Sequence, residues 1–283
     1  MKDVITSYNQ AEYFIDNLNK PIKVGGIHAE VEKLLKQFNV SSWCFITAWN
    51  PLSVELSADE NLTRNENLKK NLAKYQIFEG EGRDSNGKWQ PERSFLVIGI
   101  SRKKAKELAV KFGQRAIIYG ESGKSAELFE TLFTQGNSEI IRQDKTAFLC
   151  SRKIPAGIVL KCYDWAIEQR EAENCVISGF HSTIEKDVLH YLLKGNQPII
   201  VALARGLKKH LEPEFEKPLA DGRLLIITPF DEKTKRVSKD TAFIRNKLMI
   251  DLAESVMIGF AEKGGMIERM IGNSDKKITF VSD

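Results

Sequence analysis

Arginine, lysine and small polar residues recur in this sequence directly after short apolar runs, and this combination is suited to binding phosphate groups. Arginine presents a planar fork of hydrogen-bond donors and lysine a point charge, while hydroxyl groups and glycine backbone N–H groups supply further donors. The residues that we single out for this chemistry are Ser151, Arg152, Lys153, Ser178, Gly179, His181, Arg205, Lys235, Arg236, Arg245, Asn246, Lys247, Gly264 and Gly265.

The apolar runs that precede these residues predict a parallel sheet. They lie at residues 147–150, 175–178, 198–204, 224–228 and 255–260. The helical stretches between them lie at about 157–170, 182–194, 211–220 and 240–252. Continuously apolar strands that alternate with helices are typical of a parallel sheet covered on both faces. Residues 143–283 are therefore predicted to form a doubly wound, Rossmann-like α/β domain.

Ligands of doubly wound sheets bind at the carboxyl ends of the strands, which meet at one edge. Each of the predicted strand ends has a basic residue close by, so we expect a positively charged rim that binds the phosphates of a nucleic acid or nucleotide. No GxGxxG motif follows the first strand, and the sequence contains no GxxxxGK[ST] motif. A classical dinucleotide site and P-loop ATP hydrolysis are therefore not expected.

Residues 1–135 are predicted to form a smaller α+β domain. Its first forty residues have the apolar spacing of helices, and further helices are expected at 58–74 and 103–112. Strands are expected at 42–48, 94–100 and 115–119, and the turn-rich segment 79–89 is expected to be an exposed loop or hairpin tip. Residues 135–138 are the predicted linker to the second domain.

The composition is that of a globular protein in a reducing cytoplasm. Hydrophobic residues make up 42% of the chain and charged residues 28%, and the formal net charge of +4 is compatible with an anionic partner. The four cysteines show no CxxC spacing, so neither a structural zinc site nor another metal site is predicted. No apolar run approaches the roughly 20 residues that span a bilayer, and no signal peptide is recognisable, so no membrane association is expected.

The second half resembles the DprA/Smf family of DNA-processing Rossmann domains, within the superfamily that also contains the Lonely Guy phosphoribohydrolases. Three motifs carry the resemblance, and they occur in the family's order. The Gly-Ser-Arg motif at the end of the family's first strand reads Cys150-Ser151-Arg152 here, and the Ser-Gly motif of its second strand matches Ser178-Gly179. The Arg-Asn-Arg motif before the last core strand reads Arg245-Asn246-Lys247.

This resemblance implies a non-enzymatic protein that binds DNA, single-stranded DNA in particular, through its basic pocket, as a homodimer and without a cofactor. Two departures from the family pattern change the geometry available to a ligand. Cys150 replaces a glycine that allows close approach, and Lys247 replaces an arginine and so loses the bidentate fork.

Two other functions remain open at the sequence level. One is a nucleotide-sensing or antitoxin-like regulatory partner in an antiviral defence system, because members of this superfamily occur beside such effectors. The other is a Lonely Guy-type nucleotide phosphoribohydrolase, in which Arg152 and Arg245 would bind phosphate and Glu268 would act as the acid–base group. The glycine-threonine pair of that family's catalytic motif is missing here, and only Gly264-Gly265 and Glu268 correspond to it.

The first half resembles an uncharacterised family of small bacterial domains. The matching segments are 47–51, 61–65, 80–82, 89–97 and 112–114. This resemblance implies no known activity. The residues expected to line a polar and aromatic pocket are Trp49, Arg64, Asn65, Glu81 and Trp89. The domain is interpreted as a module that senses a ligand or a protein partner.

Overall fold

The computed structural model of the chain describes residues 2–85, 87, 89–208, 210–272, 274 and 276–282. The chain folds as two units, Met1–Thr131 and Leu132–Asp283, each with its own sheet. This mixed α/β architecture, with a Rossmann-like unit preceded by a smaller one, confirms the predicted fold class. In the described part of the chain, no helix combines the length and the apolar character needed to cross a membrane.

The first unit is built on an antiparallel sheet. Its elements are α1 (Lys2–Gln10), β1 (Glu12–Ile15), α2 (Ala29–Gln37), β2 (Ser42–Ile46), α3 (Ala58–Asn71), β3 (Gln76–Arg83), β4 (Glu92–Ile98), α4 (Arg102–Lys111), β5 (Ala116–Glu121) and β6 (Glu127–Glu130). The strand order is β1-β3-β4-β2-β5-β6, and each neighbouring pair is antiparallel.

Both faces of this sheet are covered, because successive residues of the central strands enter two different cores. Cys44 and Ile46 of β2 pack in the core that includes Leu68 of α3. Trp43 and Phe45 of the same strand pack in the core that includes Leu35 of α2. The alternation follows from the pleat of a strand, which points successive side chains to opposite faces.

Two predictions for this unit are wrong. Residues 12–15 form β1 and not part of a helix, and residues 79–83 belong to β3 and not to an exposed loop. Asn86 and Lys88 of the predicted loop lie outside the described residues. Gly80 explains the second error, because a Cβ atom there would lie 2.2 Å from the carbonyl oxygen of Phe14 in β1. The glycine that reads as a turn signal therefore permits close strand pairing.

The second unit contains the predicted parallel sheet. Its elements are β7 (Phe133–Gly136), β8 (Lys145–Cys150), α5 (Ala156–Glu171), β9 (Cys175–Ser178), α6 (Thr183–Leu193), β10 (Ile199–Ala202), α7 (Glu216–Ala220), β11 (Leu224–Thr228), α8 (Lys239–Leu252), β12 (Ser255–Phe260), α9 (Met266–Ile271) and β13 (Lys277–Phe280). The order is β13-β12-β8-β9-β10-β11-β7, in which β7 alone among the described strands runs antiparallel to its neighbour.

The sheet is wound in both directions from β8, because β9 follows on one side and β12 lies on the other. Helices α5 and α6 cover one face, where Trp165 stacks on Phe148 with ring centroids 4.8 Å apart. Helix α8 packs on β8, β9 and β10. Strands β7 and β13 were not predicted, and β7 includes Gln135 and Gly136 of the predicted linker.

We predict that Gly80→Ala destabilises the first unit, because the added methyl group would overlap the backbone of β1. Overpacking of this kind costs roughly 1–3 kcal/mol, and the loss would be seen as a lower midpoint in urea unfolding. Gly82→Ala is the matched control in the same strand, since its Cβ would lie 3.6 Å from the rings of Trp89 and Tyr13, an ordinary contact distance. Equal midpoints for the two variants would contradict this account of β1.

A basic pocket at the strand ends

A cavity of about 550 Å³ opens at the carboxyl ends of β9 and β10. Part of its wall is apolar and includes Phe180, Leu189, Leu203 and Phe215. The charged side chains and the histidines of the described lining are His181, Lys186, His190, Arg205, Lys208, Glu212, Glu214 and Arg245. Because four cations and two carboxylates line it, the cavity favours an anionic ligand with an apolar part.

Arg245 is the most buried cation of this lining. It lies on α8 and is 5% exposed, and its Nη1 donates to the carbonyl of Ala202 over 3.4 Å at the end of β10. Its Nε has no hydrogen-bond partner among the described residues. Burial lowers the pKa of Arg245, and no carboxylate in the described chain forms an ion pair with it. A guanidinium held in this way is stabilised by any anion that reaches it.

Gly179 makes room for this arginine. A Cβ atom at position 179 would lie 1.2 Å from Nη1 of Arg245, so no other residue type fits at the end of β9 while the guanidinium keeps its place. The neighbouring Ser178 links β9 to β8, because its hydroxyl donates to the carbonyl of Phe148 over 2.8 Å. The Ser-Gly pair therefore combines a strand contact with space for the cation.

Glu185 is the acid whose charge acts on Arg245, but its carboxylate is used elsewhere. Its Oε2 accepts hydrogen bonds from the backbone N–H groups of His181 and Ser182, over 2.8 and 3.0 Å. Together with the Ser182 hydroxyl, which accepts from Glu185 N, these bonds form a capping box at the start of α6. Glu185 thus stabilises the helix that borders the pocket and leaves the guanidinium available.

His181 is held in its neutral form by its surroundings. Its partial removal from water lowers its pKa, and the positive charges of Arg245 and Arg152 lower it further, while Glu185 acts in the opposite direction. The imidazole is therefore mostly uncharged at pH 7, and a bound anion would raise its pKa and favour protonation.

Arg205 and Lys208 also line the pocket, and they share one acid. Glu212 forms an ion pair with Lys208, and its carboxylate also lies 3.9 Å from Arg205 Nη2. Over the whole described lining, with Lys186 and Arg245, four cations outnumber the two carboxylates of Glu212 and Glu214. Lys186 was not singled out from the sequence, although it directly follows Glu185, which completes the capping box of α6.

A second group of predicted residues lies at the ends of β8 and β12. The hydroxyl of Ser151 accepts from Glu262 N over 3.0 Å, and Ser151 N donates to the carbonyl of Phe260. Gly264 has a φ of +72° and its N–H donates to the Glu268 carboxylate over 2.6 Å, while Gly265 precedes α9. The Glu268 carboxylate therefore caps the start of α9, the helix on which it lies. Arg152 and Lys153 are exposed and have no ion-pair partner among the described residues.

The remaining predicted residues do not line the pocket. Lys247 forms an ion pair with Asp251 one turn along α8, with Nζ 3.1 Å from the carboxylate. Asn246 is buried, and its side-chain amide contacts the sulfur of Met266 at 3.8 Å. Lys235 and Arg236 are exposed in the loop between β11 and α8.

Two family models match the chain. The family model described as DNA recombination-mediator protein A matches residues 124–280, which is more than half of the chain. A second model, described as a protein of unknown function (DUF3293), matches residues 46–117. No curated protein matches the chain.

Two solved structures resemble about half of the chain. DNA processing protein A (DprA) from Streptococcus pneumoniae is 17% identical, with a TM-score of 0.44 over 53% of this chain and 54% of its own, so the match spans about half of that protein. DNA processing protein A from Helicobacter pylori, described in terms of its single-stranded DNA binding mode, is also 17% identical, with a TM-score of 0.44 over 53% of this chain and 70% of its own. On the strength of the model that matches residues 124–280, the chain belongs to the family of DNA recombination-mediator protein A, with a first half that matches the DUF3293 family.

Proposed function

We propose that this protein binds single-stranded DNA at the basic pocket, without catalysis, with a phosphate at Arg245. The observation that carries the proposal is the burial of an arginine that has no ion-pair partner in the described chain. Keeping such a charge away from water is costly, and a phosphate at the pocket would offset the cost. What the Helicobacter pylori relative is described as binding supports the choice of ligand.

The walls of the pocket fit the two parts of a nucleotide. Arg205, Lys208 and Lys186 are placed to meet the backbone charge, while the apolar side chains of Phe180 and Phe215 offer contact to a base. Single-stranded nucleic acid exposes both its phosphates and the faces of its bases, whereas duplex DNA keeps the bases stacked inside. This combination of cations with apolar wall therefore favours single-stranded over double-stranded DNA.

A mononucleotide is the second candidate ligand, and the volume of the same pocket favours it. The volume of about 550 Å³ lies in the range of roughly 300–1,000 Å³ that small-molecule sites occupy. Such a ligand would make the protein a nucleotide sensor. The two candidates differ in their response to salt, because a single phosphate releases far fewer counterions than a strand that contacts several cations.

We predict that Arg245→Ala weakens the binding of labelled single-stranded DNA by roughly tenfold or more, since a buried charge-assisted contact is lost. Fluorescence anisotropy at two salt concentrations, with duplex DNA alongside, measures this. Gly179→Ala should reproduce the loss, because its methyl group would displace the guanidinium without removing the charge. Arg205→Ala, which is partly exposed and should fold normally, is expected to lower the salt slope by roughly 0.7, the value for one single-strand phosphate.

The matched control is Lys247→Ala, two residues along the same helix, where the cation is paired with Asp251. We expect its affinity to stay within about twofold of the unmodified protein, as for a surface ion pair. Thermal unfolding of each variant separates loss of binding from loss of fold. Absence of single-stranded DNA binding at low salt, or equal effects of Lys247→Ala and Arg245→Ala, would overturn the proposal.

We also predict that DNA binding strengthens as the pH falls from about 7.5 to about 5.5. The pKa of His181 is lowered in the free protein, so the imidazole gains its proton only at the acidic end of this range, where it adds a positive charge to the pocket. Anisotropy titrations across the range measure the effect, and His181→Gln should remove its larger part. An unchanged pH dependence in that variant would show that His181 does not face the bound phosphate.

A further inference from the structure

The first unit contains a smaller cavity whose lining is unlike that of the basic pocket. It measures about 40 Å³. Since one water needs roughly 10–15 Å³ of such space, a group of two or three heavy atoms fits. Its aromatic lining consists of Tyr8, Tyr13, Phe45 and Trp89. Glu92 is the one charged side chain of the described lining, so any ligand there meets a carboxyl group surrounded by rings.

The carboxyl group of Glu92 has no cationic partner in the described chain. It lies at the start of β4 and accepts one side-chain hydrogen bond, from Asn50 Nδ2 to Oε1 over 2.8 Å. No lysine or arginine of the described residues forms an ion pair with it. Burial raises the pKa of Glu92 to about 7. A carboxylate shielded from water in this way is stabilised by a cation that enters the cavity.

Trp89 contributes a second unmet polar group. Its Nε1 is buried and has no hydrogen-bond partner among the described residues. The ring packs beside Tyr13 over Gly82, where a Cβ atom would lie 3.6 Å from both side chains. Tyr13 in turn meets Phe45 edge to face, with centroids 5.3 Å apart. The rings therefore form a packed wall. The indole N–H is a donor, so water or another acceptor can pair with it, whereas a cation cannot.

The backbone beside the cavity is strained in a short segment, two residues of which contact the lining. Asn50, Leu52 and Ser53 have φ values of +46°, +54° and +63°, in the left-handed region that non-glycine residues rarely adopt. Asn50 donates to Glu92, and the hydroxyl of Ser53 lies 2.7 Å from that of Tyr8. Strain of this kind persists where the surroundings impose it, and it concentrates at ligand sites.

Buried amides impose this conformation. Asn61, which is 1% exposed, accepts from Asn50 N over 2.8 Å and donates to Asn50 Oδ1 over 2.9 Å. Asn65 accepts from Ala48 N, and Gln114 donates to the carbonyl of Trp49. These bonds hold residues 48–50, and the bond from Asn61 fixes the Asn50 side-chain oxygen, so the orientation of the Asn50 amide towards Glu92 is determined before any ligand binds.

An anion would be repelled by this site, and an apolar group would leave the carboxylate unpaired, whereas a small cation satisfies the carboxylate and is attracted to aromatic rings. We propose that the cavity binds the primary ammonium group of a small amine, with the Glu92 carboxylate as its counter-ion and the rings of Tyr8, Tyr13, Phe45 and Trp89 as its walls. The site is independent of the DNA-binding pocket and belongs to the first unit alone.

The pH dependence of this site follows from its neighbours. Burial raises the pKa of both Tyr8 and Tyr13, so these phenols stay neutral at pH 6–8, and Arg115, which acts on Tyr8, stays charged. Glu92 is then the group of the lining that changes its charge in this range. Because only the carboxylate form pairs with an ammonium ion, amine affinity rises from about pH 6 to about pH 8.

The experiment is an NMR titration of the full chain, labelled with 15N at its tryptophan side chains, with methylammonium chloride. The indole resonance of Trp89, assigned with Trp89→Phe, should shift saturably. Methanol, a neutral molecule of similar size, and sodium chloride at equal ionic strength should leave it unchanged. Glu92→Gln keeps an acceptor for Asn50 and should lower the affinity by roughly tenfold and abolish the pH dependence. Glu130→Gln, an exposed carboxyl on β6, is the matched control.

The unmodified protein alone can overturn the proposal, whether or not the variants fold. No saturable shift with methylammonium, or an equal shift with methanol, means that no ammonium site exists. Unchanged affinity in Glu92→Gln would likewise refute the assigned counter-ion. An end-blocked Gly-Lys-Gly peptide distinguishes the source of the ammonium group, since tighter binding of the peptide than of methylammonium would overturn the assignment to a small amine in favour of a lysine side chain.

Discussion

The guanidinium of Arg245 and the absent side chain of Gly179 constrain one another, and the geometry of the strand ends in the second unit depends on this pair. The cation of α8 reaches the carboxyl edge of the sheet only because the residue directly after β9 has no Cβ. The guanidinium donates to the carbonyl of Ala202, while the Glu185 carboxylate is held at the start of α6 by backbone N–H groups. Two helices and two strands therefore meet at one positive charge that forms no ion pair with any described residue.

Each unit places one charged side chain beside a cavity, and the two charges have opposite signs. In the second unit a buried cation borders a cavity, and in the first unit a half-buried carboxyl group does so. In each case a polar network fixes the backbone around the charge: the capping box at Ser182 in one unit and the amides of Asn61 and Asn65 in the other. Since hydrogen bonds to the backbone are directional, these networks hold the charge without neutralising it.

The sequence predicts the parallel sheet closely because its strands are buried on both faces. The apolar runs at 224–228 and 255–260 coincide with β11 and β12. The four residues of β1 are too few to distinguish the two-residue spacing of apolar side chains in a strand from the 3.6-residue spacing in a helix. The Gly80-Glu81-Gly82 segment of β3 has the composition of a turn, and only its pairing with β1 shows that it is a strand.

The candidate site is predictable in outline but not in detail. Basic residues at strand ends are visible in the sequence, whereas their direction is not. Lys247 lies two residues from Arg245, about 200° around the helix, and pairs with Asp251 outside the pocket. The apolar wall, with Phe180 and Phe215, is indistinguishable from core residues until the cavity is seen.

Strand β7, which follows directly on the first unit, has a further consequence. It covers β11, whose five residues are all buried, so a fragment that began at residue 143 would expose an apolar sheet edge to other molecules. Such edges promote self-association, and the solubility of the Rossmann-like unit on its own therefore depends on the ten residues that precede it.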